Sequence, residues 1–462
     1  MVKFLGVVLS PAAVQSEGLD AVLDRIAAAG ADAISSMWSV SRPCPSGQGE
    51  RQPPLDIDGY DRILDRPLFG HKELWLESFR THPYDEILFE ATPYRPGGRM
   101  APPDVDRDLP DKILEAAHER GMQAWMQLSP TIVPGLRPED QPHHVDGSLP
   151  DMDRRVARQG CLNNPAVRNY GLGLVRDAVR HHAAADGLFL DWAEFTTYGL
   201  QDHLVCFCPH CETRATAAGM DWARMRKDVL STWQQLHRLT SADLSRMQRL
   251  ARQPSELVEL LVTSPGWYDL LRFKARSVLE YYQDVRAAMD AEGAERMALG
   301  ANGWCPPFNL SSGMDYGALA GVCQALRAKL FTFHWSVLPR WYGQALLRWN
   351  PTLSEEHILD MLVEALELPD YNSPRSFAQY HIPTPNEPHP TLPVAWRAKT
   401  DAVADQVGGR APFYAYAHSY RPLAQWKRTI AVLRDSRADG MWVQRYGYLS
   451  DAKLEALRVL WQ

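Results

Sequence analysis

The feature that most constrains the fold is an alternation. Eight short apolar, β-rich runs recur along the chain: VKFLGVVLS (2–10), DAISSMW (32–38), MQAWMQLS (122–129), GLFLDW (187–192), MALGANGW (297–304), KLFTFHW (329–335), FYAYAHS (413–419) and GMWVQRY (440–446). Helical patterns separate them, including 16–30, 108–121 and 164–184, most opened by a capping residue or proline and several closed by glycine. Strands that alternate with helices pair in parallel, because each helix carries the chain back to the start of the sheet. Eight such units predict a closed (β/α)8 barrel; an open doubly wound sheet would show the same alternation and is the alternative. The spacing is uneven, which locates insertions at about 40–107, 212–295 and 338–412. DEILFEAT (85–92), in the first of them, reads as a further strand. With 462 residues, 45% of them apolar, the chain is long enough to be one large barrel domain, 1–462, with these insertions.

Charge and hydropathy narrow the partners. Acids outnumber bases 56 to 49, for a formal charge of −7, and no basic block is present to grip a phosphate backbone, so nucleic acid is not expected. No unbroken apolar stretch reaches the roughly 20 residues that span a bilayer. The first residues, MVKFLGVVLSPAAV, lack a small-residue cleavage site. The expectation is a soluble, cytoplasmic protein without a membrane partner.

In a barrel the chemistry belongs at the carboxyl ends of the strands. Those ends carry Trp38; Gln127 and Ser129; Asp191 and Glu194; Asn302 and Trp304; His334 and Trp335; His418 and Tyr420; and Trp442, Arg445 and Tyr446. Aromatic faces mixed with hydrogen-bonding groups suit a carbohydrate, whose ring faces are apolar and whose hydroxyls need donors and acceptors. The plainer reading is that the tryptophans and tyrosines cap a large barrel.

Residues 191–211, DWAEFTTYGLQDHLVCFCPHC, combine two motifs. Asp191 and Glu194 follow the apolar run GLFL, where partial desolvation would raise a carboxyl pKa toward that of a general acid. A salt-bridged or helix-capping role is the alternative. Cys206, Cys208 and Cys211 then have a Cys-x-Cys-x-x-Cys spacing that turns three thiolates toward one ion. His210 is expected to point away, and Cys161, in RQGCLNNPAVR, is the better fourth ligand. Four thiolates would close a tetrahedral shell, making a structural zinc that pins the loop after the fourth strand; several buried free thiols are the alternative.

These residues resemble the catalytic barrel of glycoside hydrolase family 42, the zinc-containing β-galactosidases. The likeness rests on Arg158, Cys161, Asn163, Pro165 and Arg168, then Glu194, then Cys206, Cys208 and Cys211, and more loosely on 300–335. It implies a (β/α)8 glycosidase with a structural zinc, a carbohydrate substrate, Glu194 as general acid/base, and a homo-oligomer. The chain departs from that family in two places. Ala193 stands immediately before Glu194 where the family has asparagine, and strand seven ends YAHSYRP with no carboxylate where the family has its nucleophile. A second carboxylate would have to be Asp191, or Glu387 or Glu90 from the insertions. Two other functions stay open: a lyase or epimerase using His334, His418 or Tyr420 as acid and base, and a carbohydrate-binding barrel without turnover.

Overall fold

The computed structural model describes residues 3–54, 62–151, 156, 158–250, 253–368, 375–389 and 393–461. Parts of all three insertions therefore lie outside the described residues. Eight parallel strands close into a barrel: β1 (Phe4–Val8), β2 (Ala33–Ser36), and, after the insertion strands β3 (Ser39–Cys44), β4 (Glu50–Gln52), β5 (Leu74–Arg80) and β6 (Arg99–Met100), β7 (Gln123–Leu128), β8 (Gly187–Leu190), β9 (Ala298–Trp304), β10 (Ala325–Leu330), β11 (Phe413–His418) and β12 (Gly440–Gln444). Around the ring each barrel strand pairs with its neighbours in sequence order, and β12 closes on β1. This is the (β/α)8 fold expected from the alternation. Between the barrel strands run helices that include α1 (Pro11–Glu17), α2 (Leu19–Ala28), α3 (Leu109–Glu119), α4 (Pro165–His181) and α5 (Pro209–Ala217).

The two-residue period of a strand decides what fills the barrel. Val8, Ala33, Trp125, Phe189, Ala325, Tyr416 and Trp442 form one buried cluster inside it, with Phe4, Ala298 and Phe331 packed against them. The alternate residues Leu188, Leu190, Leu326, Ala328, Leu330, Met441 and Val443 belong to the larger outer core beneath the helices. Trp442 pairs in register with Gly6, and a Cβ on Gly6 would stand 2.4 Å from the indole ring. Glycine is needed there so that the ring can lie across β1. In the same interior the Arg327 guanidinium sits 3.4 Å from the centroid of Phe189, 4.4 Å from Tyr416 and 5.1 Å from Trp442. It donates from Nη2 to Gln127 Oε1 at 2.7 Å. Burial lowers its pKa to about 10, still far enough above neutrality to keep the charge that the aromatic faces stabilise.

Four expectations are corrected. Only the first two residues of KLFTFHW are in a strand: β10 begins at Ala325 and ends at Leu330, and Thr332–Trp335 is a helical turn. DEILFEAT contains a 3-10 helix, Glu86–Phe89, capped by the Asp85 side chain; the extra sheet of the first insertion is instead mixed, with β3, β5 and β4 antiparallel in that order and β6 parallel to β5. The helix expected over 16–30 is two helices divided at Gly18, whose φ of +93° breaks the first. Trp442, expected at a strand end facing substrate, is a fully buried piece of the barrel interior.

Candidate active site

The site is built where β8 ends. Leu190 is the last strand residue, and alternation turns Asp191 inward at the mouth. Trp192 follows with φ +61°, a left-handed conformation that costs a non-glycine residue roughly 1–2 kcal/mol. Its carbonyl is held by Thr131 Oγ1 at 2.5 Å and Gln159 Nε2 at 2.7 Å, and Gln159 Nε2 also reaches the Glu194 carbonyl at 3.1 Å. The turn is thereby fixed from the loop that leads into α4.

That turn brings both carboxylates to one cation. Lys329 Nζ, from β10, lies 2.9 Å from Asp191 Oδ1 and 3.0 Å from Glu194 Oε1, and 4.7 Å from the centroid of the Trp192 ring. Asn302 Nδ2 donates to Asp191 Oδ1 at 3.0 Å. Glu194 Oε2 accepts from Ser312 Oγ at 2.9 Å and from the Trp304 main-chain N–H at 3.4 Å. Glu194 is 3% exposed, whereas the Asp191 side chain is 17% exposed. The mouth of the barrel therefore meets Asp191, with Glu194 behind the lysine. Burial raises the Glu194 pKa, Lys329 and Ser312 oppose that rise, and the Asp191 charge adds to it. For Lys329 burial works against the charge, but the two carboxylates outweigh it and its pKa is raised.

The other expected residues divide by burial. Gln127 is committed to Arg327 and Asn302 to Asp191. Trp304 is 1% exposed, its ring edge-on to Tyr198, Phe308 and Trp335. Trp335 is 2% exposed, stacked on Phe308 at 5.1 Å with Lys399 Nζ 4.6 Å from its ring, so its ring is already packed. His334 is within 3.2 Å of the Tyr198 hydroxyl. His418 accepts from the Tyr420 main-chain N–H at 3.1 Å, and burial holds its pKa well below the usual histidine value. Tyr420 is buried. Arg445 is half-buried and donates to Gln52 Oε1 at 2.7 Å. Tyr446 turns away, its hydroxyl 3.1 Å from Glu17 at the end of α1, and so does not reach the mouth. Glu387 is tied to His381 at 2.8 Å, and Glu90 is an exposed residue after the 3-10 helix. Of the four tryptophans expected to stack a sugar, only Trp38 is half-buried; with Gln127 and Ser129 it borders a cavity of about 290 Å3.

Sequence reasoning missed Lys329, Trp192 and Ser312. A signal for Lys329 existed: in ALRAKL the charges at 327 and 329 alternate with apolar residues, the pattern of a strand whose polar face looks into a barrel.

Cys161, Cys206, Cys208 and Cys211 are all buried, with sulfur atoms within 4.8 Å of one another. Cys161 Sγ stands 3.6, 3.5 and 3.6 Å from those of Cys206, Cys208 and Cys211. Tetrahedral zinc with Zn–S bonds of about 2.3 Å separates its sulfurs by about 3.8 Å, so the four fit a metal ion with little movement. Cys208 caps α5 and Cys211 lies in its first turn, where helix N–H groups favour thiolates. The His143 main-chain N–H and Asn163 Nδ2 each reach a cluster sulfur at 3.3 Å. Two residues before Cys161, Gln159 makes the bonds that hold the Trp192 turn, linking the cluster to the carboxylates.

No protein-family profile matches the chain, and no curated protein sequence does. Solved structures are similar to it to differing degrees. β-Galactosidase from the psychrophilic Marinomonas ef1 superposes with a TM-score of 0.51 at 10% identity, over 99% of this chain and 59% of that one. The β-galactosidase of the Antarctic haloarchaeon Halorubrum lacusprofundi gives 0.49 at 13% identity, over 98% and 57%. The β-amylase catalytic domain from Paenibacillus polymyxa gives 0.46 at 9%, over 99% and 97%. The chain spans less than three fifths of the length of the two β-galactosidases. At 10% identity the likeness to the Marinomonas enzyme is one of fold.

Proposed function

We propose that the chain is a glycosidase-type enzyme acting on a small glycoside or oligosaccharide at the carboxyl end of its barrel, with Asp191 as the carboxylate that meets the substrate. The observation that carries this reading is the unequal exposure of two acids on one lysine: Asp191 faces the mouth, and Glu194 is enclosed by Lys329, Ser312 and the Trp304 main chain. A carboxylate at that place is suited to stabilise the positive charge that develops at an anomeric carbon. Glu194 then acts through Lys329, as a positioning residue that fixes the cation against Asp191. This revises the role that the family resemblance gives Glu194, because a general acid must come within hydrogen-bond reach of the leaving oxygen.

Asp191 and Glu194 do not form the pair that flanks a scissile bond. Flanking carboxylates need the sugar between them, and here the space between them is filled by Lys329 Nζ. That same observation favours a second reading, a carbohydrate-binding barrel without turnover. The lyase or epimerase reading is weaker, since His334, His418 and Tyr420 are all buried. The cysteine cluster is proposed as a zinc site of structural type: bound zinc would cross-link the loop before α4 to α5 and so hold the Trp192 turn. Hydrolysis of a panel of aryl glycosides, paired with calorimetric binding of unactivated sugars, separates the two main readings. Turnover supports the enzyme; binding without any turnover supports the retired barrel.

A further inference from the structure

Away from the cysteine cluster, a second group of metal-ligating side chains stands where the first insertion meets α4. His82 follows β5, and Asp177 and His181 are one helical turn apart on α4, so both project from the same face of the helix. His82 Nε2 lies 3.0 Å from Asp177 Oδ2, and His181 Nε2 lies 3.9 Å from Asp177 Oδ1. One ligand atom from each of the three lies within 4.8 Å of the others. Asp177 is 6% exposed, yet its Oδ1 accepts no hydrogen bond among the described residues. A buried carboxylate oxygen left in that state is costly unless a cation approaches it.

Hydrogen-bond accounting at His82 points the same way. The single Thr81 hydroxyl proton goes to the Trp38 carbonyl at 3.0 Å. With that proton committed, the hydroxyl can accept from His82 Nδ1, 3.2 Å away, in the tautomer that carries the ring proton there. In that tautomer Nε2 turns its lone pair toward the Asp177 carboxylate, 3.0 Å away, on the side where a metal ion would bind both. An imidazole whose far nitrogen donates to a fixed oxygen is the usual orientation of a metal-bound histidine.

We propose that His82 Nε2, His181 and the Asp177 carboxylate form a binding site for a divalent transition-metal ion of the zinc class, distinct from the four-cysteine cluster. Two imidazoles and one carboxylate are a ligand set for zinc and its neighbours, and three protein ligands leave a position open for water or a substrate oxygen. The rings of His82 and His181 now stack at 3.7 Å. Binding would fan them apart, a movement open to His181 because its side chain is 37% exposed. His82 and Asp177 also border the cavity lined by Trp38, Tyr84 and Gln127. An ion there would fasten the first insertion to α4 at the wall of that cavity.

The test is cobalt(II) titration of the full chain, read by absorption and by equilibrium dialysis. The wild-type protein should take up a second equivalent beyond the thiolate site, adding weak visible d–d bands without further sulfur-to-cobalt charge transfer. His181→Ala, which removes an exposed side chain and should leave the fold intact, should weaken that uptake at least tenfold, as should His82→Ala. His118→Ala, an exposed histidine paired with Asp186 elsewhere on the surface, should leave it unchanged. The proposal is overturned if wild type binds no equivalent beyond the thiolate site, or if His181→Ala and His82→Ala bind as the wild type does. Because the sulfur band reports the cysteine site separately, loss of one site is distinguishable from loss of the other.

Discussion

Lys329 Nζ lies 2.9 Å from Asp191 Oδ1 and 3.0 Å from Glu194 Oε1, joining the sixth barrel strand to the end of the fourth through an ion triad whose lysine and glutamate are buried. Removing its centre should expose the cost of burying the acids. Lys329→Met is expected to lower stability by about 3–5 kcal/mol, the usual effect of leaving a buried charge without its partner. Lys329→Met combined with Glu194→Gln should recover part of that loss, because one uncompensated charge is gone. Denaturant unfolding of the two variants checks this.

The thiolate cluster should carry one zinc per chain in protein purified without added metal. Replacing Cys161 by Ser, or stripping the metal with a chelator, should lower stability by on the order of several kcal/mol. Substrate binding should weaken as well, because the Cys161 segment carries the Gln159 bonds to the Trp192 and Glu194 carbonyls. Elemental analysis and thermal melts with and without chelator measure both effects. Full stability in a metal-free preparation would contradict the assignment.

The barrel interior sets a second stability test. Trp442→Ala should cost about 3–5 kcal/mol by opening a cavity beside Phe189 and Arg327, and Gly6→Ala about 1–3 kcal/mol by driving a methyl group into the indole ring. Neither should change ligand affinity once folding is accounted for. Trp38→Ala should do the reverse, weakening binding with little change in melting temperature.

Acid should destabilise the fold through its buried histidines. Burial holds His389 and His418 neutral, with pKa values well below the usual 6.5. In the unfolded chain both take up protons below about pH 6.5, and the folded state does not follow until its own lower pKa values are reached. Stability from these groups is therefore present above pH 6.5 and is lost as pH falls below it, by up to about 1.4 kcal/mol per pH unit for each. Melting temperatures between pH 7.5 and 5 should fall more steeply in the wild type than in a His389→Gln, His418→Gln double variant.

The barrel was legible because alternation over eight units is a long-range signal that local errors do not erase. The thiolate cluster was legible because four cysteines at those spacings have few other uses. The carboxylates were visible too, but their relation to the solvent was not. A strand end misplaced by five residues, Leu330 rather than Trp335, hid Lys329 at the mouth and put Trp335 there instead. A two-residue period cannot by itself say which face looks inward, so Trp442 read as a binding residue although it fills the barrel. The turn at Trp192, with its positive φ, has no glycine or asparagine to announce it, because the Thr131 and Gln159 side chains impose it from elsewhere in the chain.

Turnover of Asp191→Asn against Glu194→Gln decides which carboxylate meets the substrate, read as kcat/KM on an activated aryl glycoside and on its unactivated counterpart. Asp191→Asn is expected to lose roughly 10²- to 10⁴-fold on both substrates with its melting temperature preserved. Glu194→Gln should lose less, and by the same factor on both, because it acts by holding Lys329. Near-normal turnover by Asp191→Asn, or a Glu194→Gln defect that disappears on the activated substrate, would rule out Asp191 as the substrate-facing carboxylate and return the role of general acid to Glu194.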